Sequence, residues 1–425
     1  MMKKYNDKSK GAAFRLAALV LVPVLLFASC GNGAGGEASG PAASPIAVYT
    51  DAPSLPPTDA PTDKPTDVPT PAPTEEPFEQ RVIREALSSM TLEEKVGQLL
   101  MFGVAGKDAP SEASSALLSE CSVGNVILFG DNFDKDDGGG FPGAKRLTEF
   151  IGEHFPCPVP RIFAIDAEGG NVVRFKWEPA VPSANKLGKG SAQNARETFA
   201  RVGEKLRSCG INLDLAPVCD MNEKPFSTFL GSRIISGDPE ITALISAAMI
   251  DGLHSVGCLA CAKHFPGHGA TTEDTHQMTP IVYKTREELF AYDLTAFASA
   301  VASGVDCVMA AHILYPELDP DNIASLSPVI LTEILRGELG FEGVIISDDI
   351  RMKGITGVAS PGEAALRFIL AGGDIVLCGA DVNAQRSIVS ALISACEDGR
   401  ITPERLDESC SRILAAKLRF GVWQP

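Results

Sequence analysis

Four apolar runs in this chain end in residues that can do chemistry: Asp166, the pair Lys263 and His264, His312, and Asp348. Carboxylates, an ammonium and imidazoles are the groups of acid–base and nucleophilic catalysis. One charged residue closing an apolar run is often only a cap. Several such runs are harder to explain that way, and they point to a shared site. A polar stretch, GATTEDTHQMTP, adds Asp274 and His276 in D-x-H spacing.

The elements that must position these groups follow from the pattern of apolar runs. Candidate strands fall at 98–104, 124–129, 161–166, 211–218, 258–264, 306–312, 343–348 and 374–378. They are nearly continuous hydrophobics, as expected when both faces of a sheet are covered. Helical patterns alternate with them, such as NARETFARVGEKLRSCG, PEITALISAAMIDGLHSVG, TREELFAYDLTAFASAVASG and SPVILTEILRGELG. Several end in Gly, the usual residue just past a helix C-terminus. Eight β/α repeats predict an α/β fold, a single (β/α)8 TIM-type barrel. In such a barrel the C-terminal strand ends converge on one mouth, so Asp166, Lys263, His264, His312 and Asp348 would meet there. An open doubly wound sheet is the alternative; no Gly-rich phosphate loop follows the first strand, which disfavours it.

Three segments organise the chain: 1–30, 31–77 and 78–425. Lys3, Lys4, Lys8, Lys10 and Arg15 precede an apolar run from Leu16 to Ser29. That run is short for a membrane span and suits a signal-peptide core. It ends Phe27-Ala28-Ser29-Cys30-Gly31, which resembles a bacterial lipoprotein signal with Cys30 as the acylated residue. The expected location is outside the cytosol, lipid-anchored to the membrane and facing the wall, or secreted if Cys30 is not used. Residues 31–77 are rich in Pro and Thr and cannot build a core. As extended polyproline they would reach roughly 140 Å at ~3.1 Å per residue, a tether for a catalytic body.

Composition narrows the partners. Lys+Arg 37 against Asp+Glu 54 gives a net charge of −17. This argues against a nucleic-acid surface, which needs clustered cations. No cofactor, metal or protein partner is expected: Asp136-Asp137 lacks a neighbouring ligand set. The chain has 11 Cys. Cys30 aside, they lie mostly in apolar runs, where Cys behaves as a small buried hydrophobe. Cys258 and Cys261 have redox-motif spacing, but a strand puts residues three apart on opposite faces.

The segment Lys263-His264-Phe265-Pro266-Gly267-His268-Gly269, followed by Asp274-Thr275-His276, resembles the signature of family 3 glycoside hydrolases, in their bacterial β-N-acetylglucosaminidase branch. Other pieces agree in order: DAEGGNVVR from Asp166, NLDLAPVCD from Asn212, Gly231-Ser232-Arg233 through Asp238-Pro239, and ISDDIRM around Asp348. The resemblance covers residues 85 to 421. It implies a retaining mechanism with Asp348 as nucleophile, and a proton donor, His276, oriented by Asp274. It also implies a substrate pocket in which Asp166 accepts from sugar hydroxyls, while Arg174, Arg233, Lys263 and His264 donate to hydroxyls and the N-acetyl carbonyl. Asp349, Glu168, His268 and His312 are expected to be structural. Only two Trp are present, Trp177 and Trp423, too few for an extended stacking platform. A short pocket and exo action on N-acetylglucosamine-containing glycan are therefore expected. The alternatives are a phosphorylase or β-glucosidase of the same family, or a wall-glycan-binding lipoprotein without turnover. Asp131-Asn132 departs from the family's usual Arg-Asn, and DKDDGGG from Asp134 is expected to form a flexible acidic loop.

Overall fold

The computed structural model describes residues 76–425 except 223, 225–228 and 272–277. The lipoprotein signal, Cys30 and nearly all of the Pro/Thr-rich segment lie outside the described residues, as do Asp274 and His276.

Eight parallel strands appear where the apolar runs placed them: β1 Leu100–Gly103, β2 Asn125–Ile127, β3 Ile162–Ile165, β4 Leu213–Asp214, β5 Leu259–Phe265, β6 Cys307–Ala310, β7 Val344–Ser347 and β8 Val376–Cys378. Each lies beside its neighbours in chain order, and β8 returns to pair with β1. A parallel bridge between Ile346 and Ile375 joins the remaining edge, with the Ser347 amide donating to the Ile375 carbonyl at 2.9 Å. The sheet is thus a (β/α)8 barrel. Every strand residue is buried, which explains why the runs are unbroken hydrophobics rather than alternating.

The helices start where local chemistry allows. Thr91 and Glu94 form a reciprocal cap at Leu92–Gln98, and Thr285 with Glu288 does the same at Arg286–Ala291. Asp238 caps Pro239–His254, with Pro in its first turn. Ala192–Arg207 turns Ala195, Phe199, Val202 and Leu206 to the barrel, an i, i+4, i+7 stripe. Two helical segments differ from the expected pattern. TREELFAYDLTAFASAVASG breaks at Tyr292 into Arg286–Ala291 and Asp293–Ala302. SPVILTEILRGELG winds as a π-helix over Val329–Glu338.

The stretch Asp134–Gly140 is not a loose acidic loop. The Lys176 amide donates to the Gly139 carbonyl at 3.0 Å, and Arg146 pairs with Asp137 at 2.8 Å. Gly140 has φ +92°, and a Cβ there would sit 2.6 Å from the Phe133 ring, so only Gly fits. Trp177 is buried in a cluster with Phe141 and Phe175, so its apolar mass serves packing rather than sugar stacking.

At the N-terminal end of the barrel, buried Lys417 donates to Gln98 Oε1 at 2.7 Å and the Gly124 carbonyl at 3.0 Å. Arg161, also buried, donates to the carbonyls of Val123 and Phe155 at 2.8 and 2.5 Å. Neither cation makes an ion pair among the described residues. Among those residues no helix is long and apolar enough to cross a membrane.

Candidate active site

A cavity of about 290 Å³ opens at the C-terminal mouth, at the small end for ligand sites. Its wall includes Asp166, Glu168, Arg174, Arg233, Lys263, His264 and Asp348. Six of the sequence-predicted site residues therefore meet in one place. These are Asp348 and the five residues assigned to substrate binding.

Asp166 follows β3 directly. Its carboxylate accepts from Lys263 Nζ at 2.8 Å and Arg174 Nη2 at 2.6 Å. Burial pushes its pKa up, but Lys263 and Arg174 outweigh that and hold it well below the usual carboxylate range. Lys263 also bonds Glu168 Oε1 at 2.6 Å, and Glu168 takes a two-point grip from Arg233 at 2.8 and 2.9 Å. The result is a chain of alternating charge: Arg174, Asp166, Lys263, Glu168, Arg233. Lys263, although buried, is held firmly protonated because the two carboxylates outweigh desolvation.

Lys263 and His264 both reach the cavity because β5 is irregular. Lys263 pairs with Met309 and Phe265 with Ala310, so His264 is an extra residue between two successive pairs. Simple alternation would send these neighbours to opposite faces; the bulge re-aims one of them. His264 Nδ1 lies 2.6 Å from Asp220 Oδ2. Asp220, fully buried after β4, also accepts the amides of His264 and His268, the latter at 2.5 Å. Burial raises the Asp220 carboxyl, and His264 more than offsets it. The glycines of KHFPGHG allow this turn: Gly267 has φ +141°, and a Cβ on Gly269 would collide with the Met221 backbone at 1.8 Å.

Asp348 follows β7. Its amide donates to the Ala310 carbonyl at 3.0 Å, and its Oδ1 accepts from the Asp349 amide at 2.8 Å. Burial pushes its carboxyl up. His264, His312, the Asp349 amide and Lys263 together win, keeping it ionised below the usual value. Asp349 borders the same cavity, but its carboxylate is spent on Arg351, at 2.6 Å, and on the Gly379 amide. His312 is fully buried, bonded to Ser325 at 2.8 Å and to the Asp349 carbonyl. His268 lines the cavity, and burial pushes it down to about 4.

From the sequence alone Glu168 is expected to be structural, and Asp220 carries no assigned role. Glu168 shares both Lys263 and Arg233 with the binding cluster and lines the cavity. Its one signal was its place two residues after Asp166 in the DAEGG segment. Asp220 was legible only as an acid closing NLDLAPVCD.

Asp214, at the end of β4, is the one carboxylate of this group pushed upward, to about 7. Burial is the main cause; the carboxylates of Asp166 and Glu168 add to it, while the Ala167 amide and Lys263 oppose it. Its folded pKa exceeds its unfolded value, so the folded state binds the extra proton between about pH 4 and 7. That contribution is present at low pH and lost as pH rises through 7. Asp214→Asn keeps the acceptor for Ala167 and does not ionise. Its unfolding free energy, measured by urea denaturation relative to the natural protein, is therefore expected to improve as pH rises from 4 to 8. A pH-independent difference would show that Asp214 does not titrate in this window.

Buried carboxylates interleaved with fixed cations at the mouth of a parallel barrel define a (β/α)8-barrel enzyme whose site suits a polar, hydroxyl-rich ligand. The family model "Glycosyl hydrolase family 3 N terminal domain" matches residues 91–416, and the chain belongs to that family of glycoside hydrolases. A β-hexosaminidase of Stenotrophomonas maltophilia is 34% identical over 288 residues, covering 66% of this chain and 82% of its own. One from Xylella fastidiosa is 32% identical, covering 76% of this chain and 99% of its own. Among solved structures, a family 3 β-N-acetylglucosaminidase from a Paenibacillus species superposes with TM-score 0.74 at 37% identity. The match covers 79% of this chain but only 63% of that one. A β-N-acetylhexosaminidase from Beutenbergia cavernae gives TM-score 0.70 at 30% identity, over 77% of this chain and 99% of its own.

Proposed function

We propose that the protein is an exo-acting, retaining β-N-acetylhexosaminidase that removes terminal N-acetylglucosamine from peptidoglycan- or chitin-type fragments. The observation that carries this reading is Asp348: a half-buried carboxylate kept ionised at the barrel mouth, in one cavity with the charged cluster of Asp166, Lys263 and Glu168. A retaining glycosidase needs such a carboxylate to attack the anomeric carbon. Asp166 accepts from sugar hydroxyls, and Arg174, Arg233, Lys263 and His264 donate to them and to the N-acetyl carbonyl. The small cavity suits one terminal sugar. His276 protonates the leaving oxygen and then activates water, with Asp274 orienting its ring. The names of the relatives above support the hexosaminide substrate.

Hydrolysis of nitrophenyl glycosides that differ at the 2-position tests the substrate. The N-acetylglucosaminide is expected to be cleaved at least about tenfold faster than the glucoside, as a lost buried hydrogen bond of 1.4 kcal/mol or more would give. In the same assay His276→Ala is expected to slow a natural disaccharide strongly and to spare the activated aryl glycoside, whose leaving group needs no proton. Equal losses on both substrates would remove His276 from the acid role. Sugar 1-phosphate as the product in phosphate buffer would overturn hydrolysis in favour of phosphorolysis.

The small residues before Cys30 support a lipid anchor there, holding the enzyme at the membrane and facing the wall. Cys30→Ser is expected to abolish incorporation of labelled fatty acid and to release the protein from the membrane fraction. Unchanged labelling would show that Cys30 is not the acylated residue.

A further inference from the structure

Asp214 is a buried carboxylate beside this site that the proposed reaction leaves unused. It is fully buried on β4, one residue short of Leu215, which lines the mouth cavity. Its two oxygens have different surroundings. Oδ1 accepts the Ala167 amide at 2.9 Å, and Ala167 stands between Asp166 and Glu168 in the chain. Oδ2 is buried and has no hydrogen-bond partner among the described residues. One carboxylate thus holds the backbone that carries both acidic members of the charged cluster, while its second oxygen is left without a donor.

The groups around Asp214 disfavour its charge. From the turn after β3, Asp166 and Glu168 oppose it. From β5, Lys263 favours it, but that ammonium is already shared between the same two carboxylates at 2.8 and 2.6 Å. The thiols of Cys258 and Cys261, in the same run, also feel the Asp214 charge; burial pushes both up, so they add none of their own at neutral pH. A buried carboxylate with one oxygen lacking a donor is costly when ionised. Protonation at Oδ2 removes that charge and leaves the Oδ1 bond to Ala167 in place. Asp214 is therefore set to exchange a proton near pH 7.

We propose that Asp214 is a positioning residue of the sugar site, which holds Asp166 and Glu168 through the Ala167 amide and couples sugar binding to one proton on Oδ2. This rests on the reading of the charged cluster as the sugar-binding wall. The sign follows from the buried space the three carboxylates share. A sugar in the cavity displaces water that screens Asp166, Glu168 and Asp214 from one another, and it draws hydrogen bonds from Lys263. Both changes make the ionised form of Asp214 more costly, so the bound state keeps the proton. Linkage is reciprocal: the sugar binds better when Asp214 is protonated, and affinity falls as pH rises through about 7. Asp214 touches no reacting atom, so the effect lies in KM and not in kcat.

The test measures the dissociation constant of N-acetylglucosamine, a neutral ligand, by calorimetry on the full folded chain from about pH 6 to 8.5. It also follows kcat and KM for the nitrophenyl N-acetylglucosaminide over the same range. In the natural protein the dissociation constant and KM are expected to rise at least about fivefold across that range. Asp214→Asn keeps the acceptor for Ala167 and does not ionise. In that variant both constants are expected to stay level, while the pH profile of kcat keeps its shape. Carbon-13 NMR of the natural protein, labelled at its aspartate carboxyls, is expected to show one carboxyl that titrates near pH 7 and moves to higher pH when N-acetylglucosamine is bound. That readout stands even if the variant fails to fold. A pH dependence of affinity that Asp214→Asn leaves intact would overturn the proposal, and so would the absence of any aspartate titrating in that range. No binding of N-acetylglucosamine at any pH would overturn the sugar reading of the pocket, and this coupling with it.

Discussion

Replacing Asp348 by Asn is expected to lower kcat/KM on an activated aryl N-acetylglucosaminide by on the order of 10³-fold or more, equivalent to at least about 4 kcal/mol of transition-state stabilisation. Asn preserves the shape and still accepts from the Asp349 amide, the bond that Asp348 Oδ1 makes at 2.8 Å. What it lacks is the negative charge that, in the proposed mechanism, attacks the anomeric carbon. The variant should therefore fold, and its loss should appear in turnover. The natural enzyme treated with a slow fluorinated glycosyl donor should carry the sugar's mass on the peptide that contains Asp348. Activity close to normal in the variant, or label on another peptide, would displace Asp348 as nucleophile. The depressed carboxyl also sets the pH behaviour. Asp348 is in its working, ionised form above its folded pKa, so loss of activity from this group is confined to pH below the ordinary carboxylate range.

Lys263→Met has the second large expected effect, and it falls on stability and on binding together. The ammonium is 2% exposed and bridges Asp166 and Glu168 at 2.8 and 2.6 Å. Met is of similar length but carries no charge, so each buried carboxylate keeps only one arginine. Breaking a buried ion pair from one side costs about 3–5 kcal/mol, because the remaining charge stays desolvated. Urea denaturation would measure that loss. On the proposed reading of the pocket the sugar also loses a charged donor, so kcat/KM is expected to fall on the order of 10²-fold. The acid side adds a signature. Asp166 and Glu168 have folded pKa values below the unfolded ones, so they contribute stability above about pH 4 that is lost as pH falls further. Without Lys263 that contribution shrinks, and the variant should lose less stability on acidification than the natural protein. An unchanged unfolding free energy at neutral pH would refute the bridging role.

Much of this architecture was legible along the chain. Apolar runs and helix caps are local features, and eight apolar runs alternating with helical patterns leave few ways to bury both faces of the strands. The same locality placed Asp166, Lys263, His264 and Asp348 at strand ends, hence at one mouth. Strand regularity is not legible in the same way: the run at 211–218 is regular strand only over Leu213–Asp214, although its backbone goes on bonding to β5 as far as the Val218–Lys263 bridge. Ladder pairing depends on the neighbouring strand, and a run's own hydrophobicity does not report it.

Other features exist only once distant segments meet. The bulge in β5 is a mismatch with β6, at the point where Lys263 and His264 both come to line the mouth. Glu168 gains its place in the cluster from Lys263 and Arg233, 95 and 65 positions away in the chain. Asp220 anchors the histidine segment across a similar gap. The cationic floor joins Gln98, Cys157, Arg161 and Lys417, which no periodicity connects. Residue order determines which groups are available and which element carries each one. Which charges share a buried space is decided by folding, because electrostatic partners are set by distance in space, over a few ångströms, and not by separation along the chain.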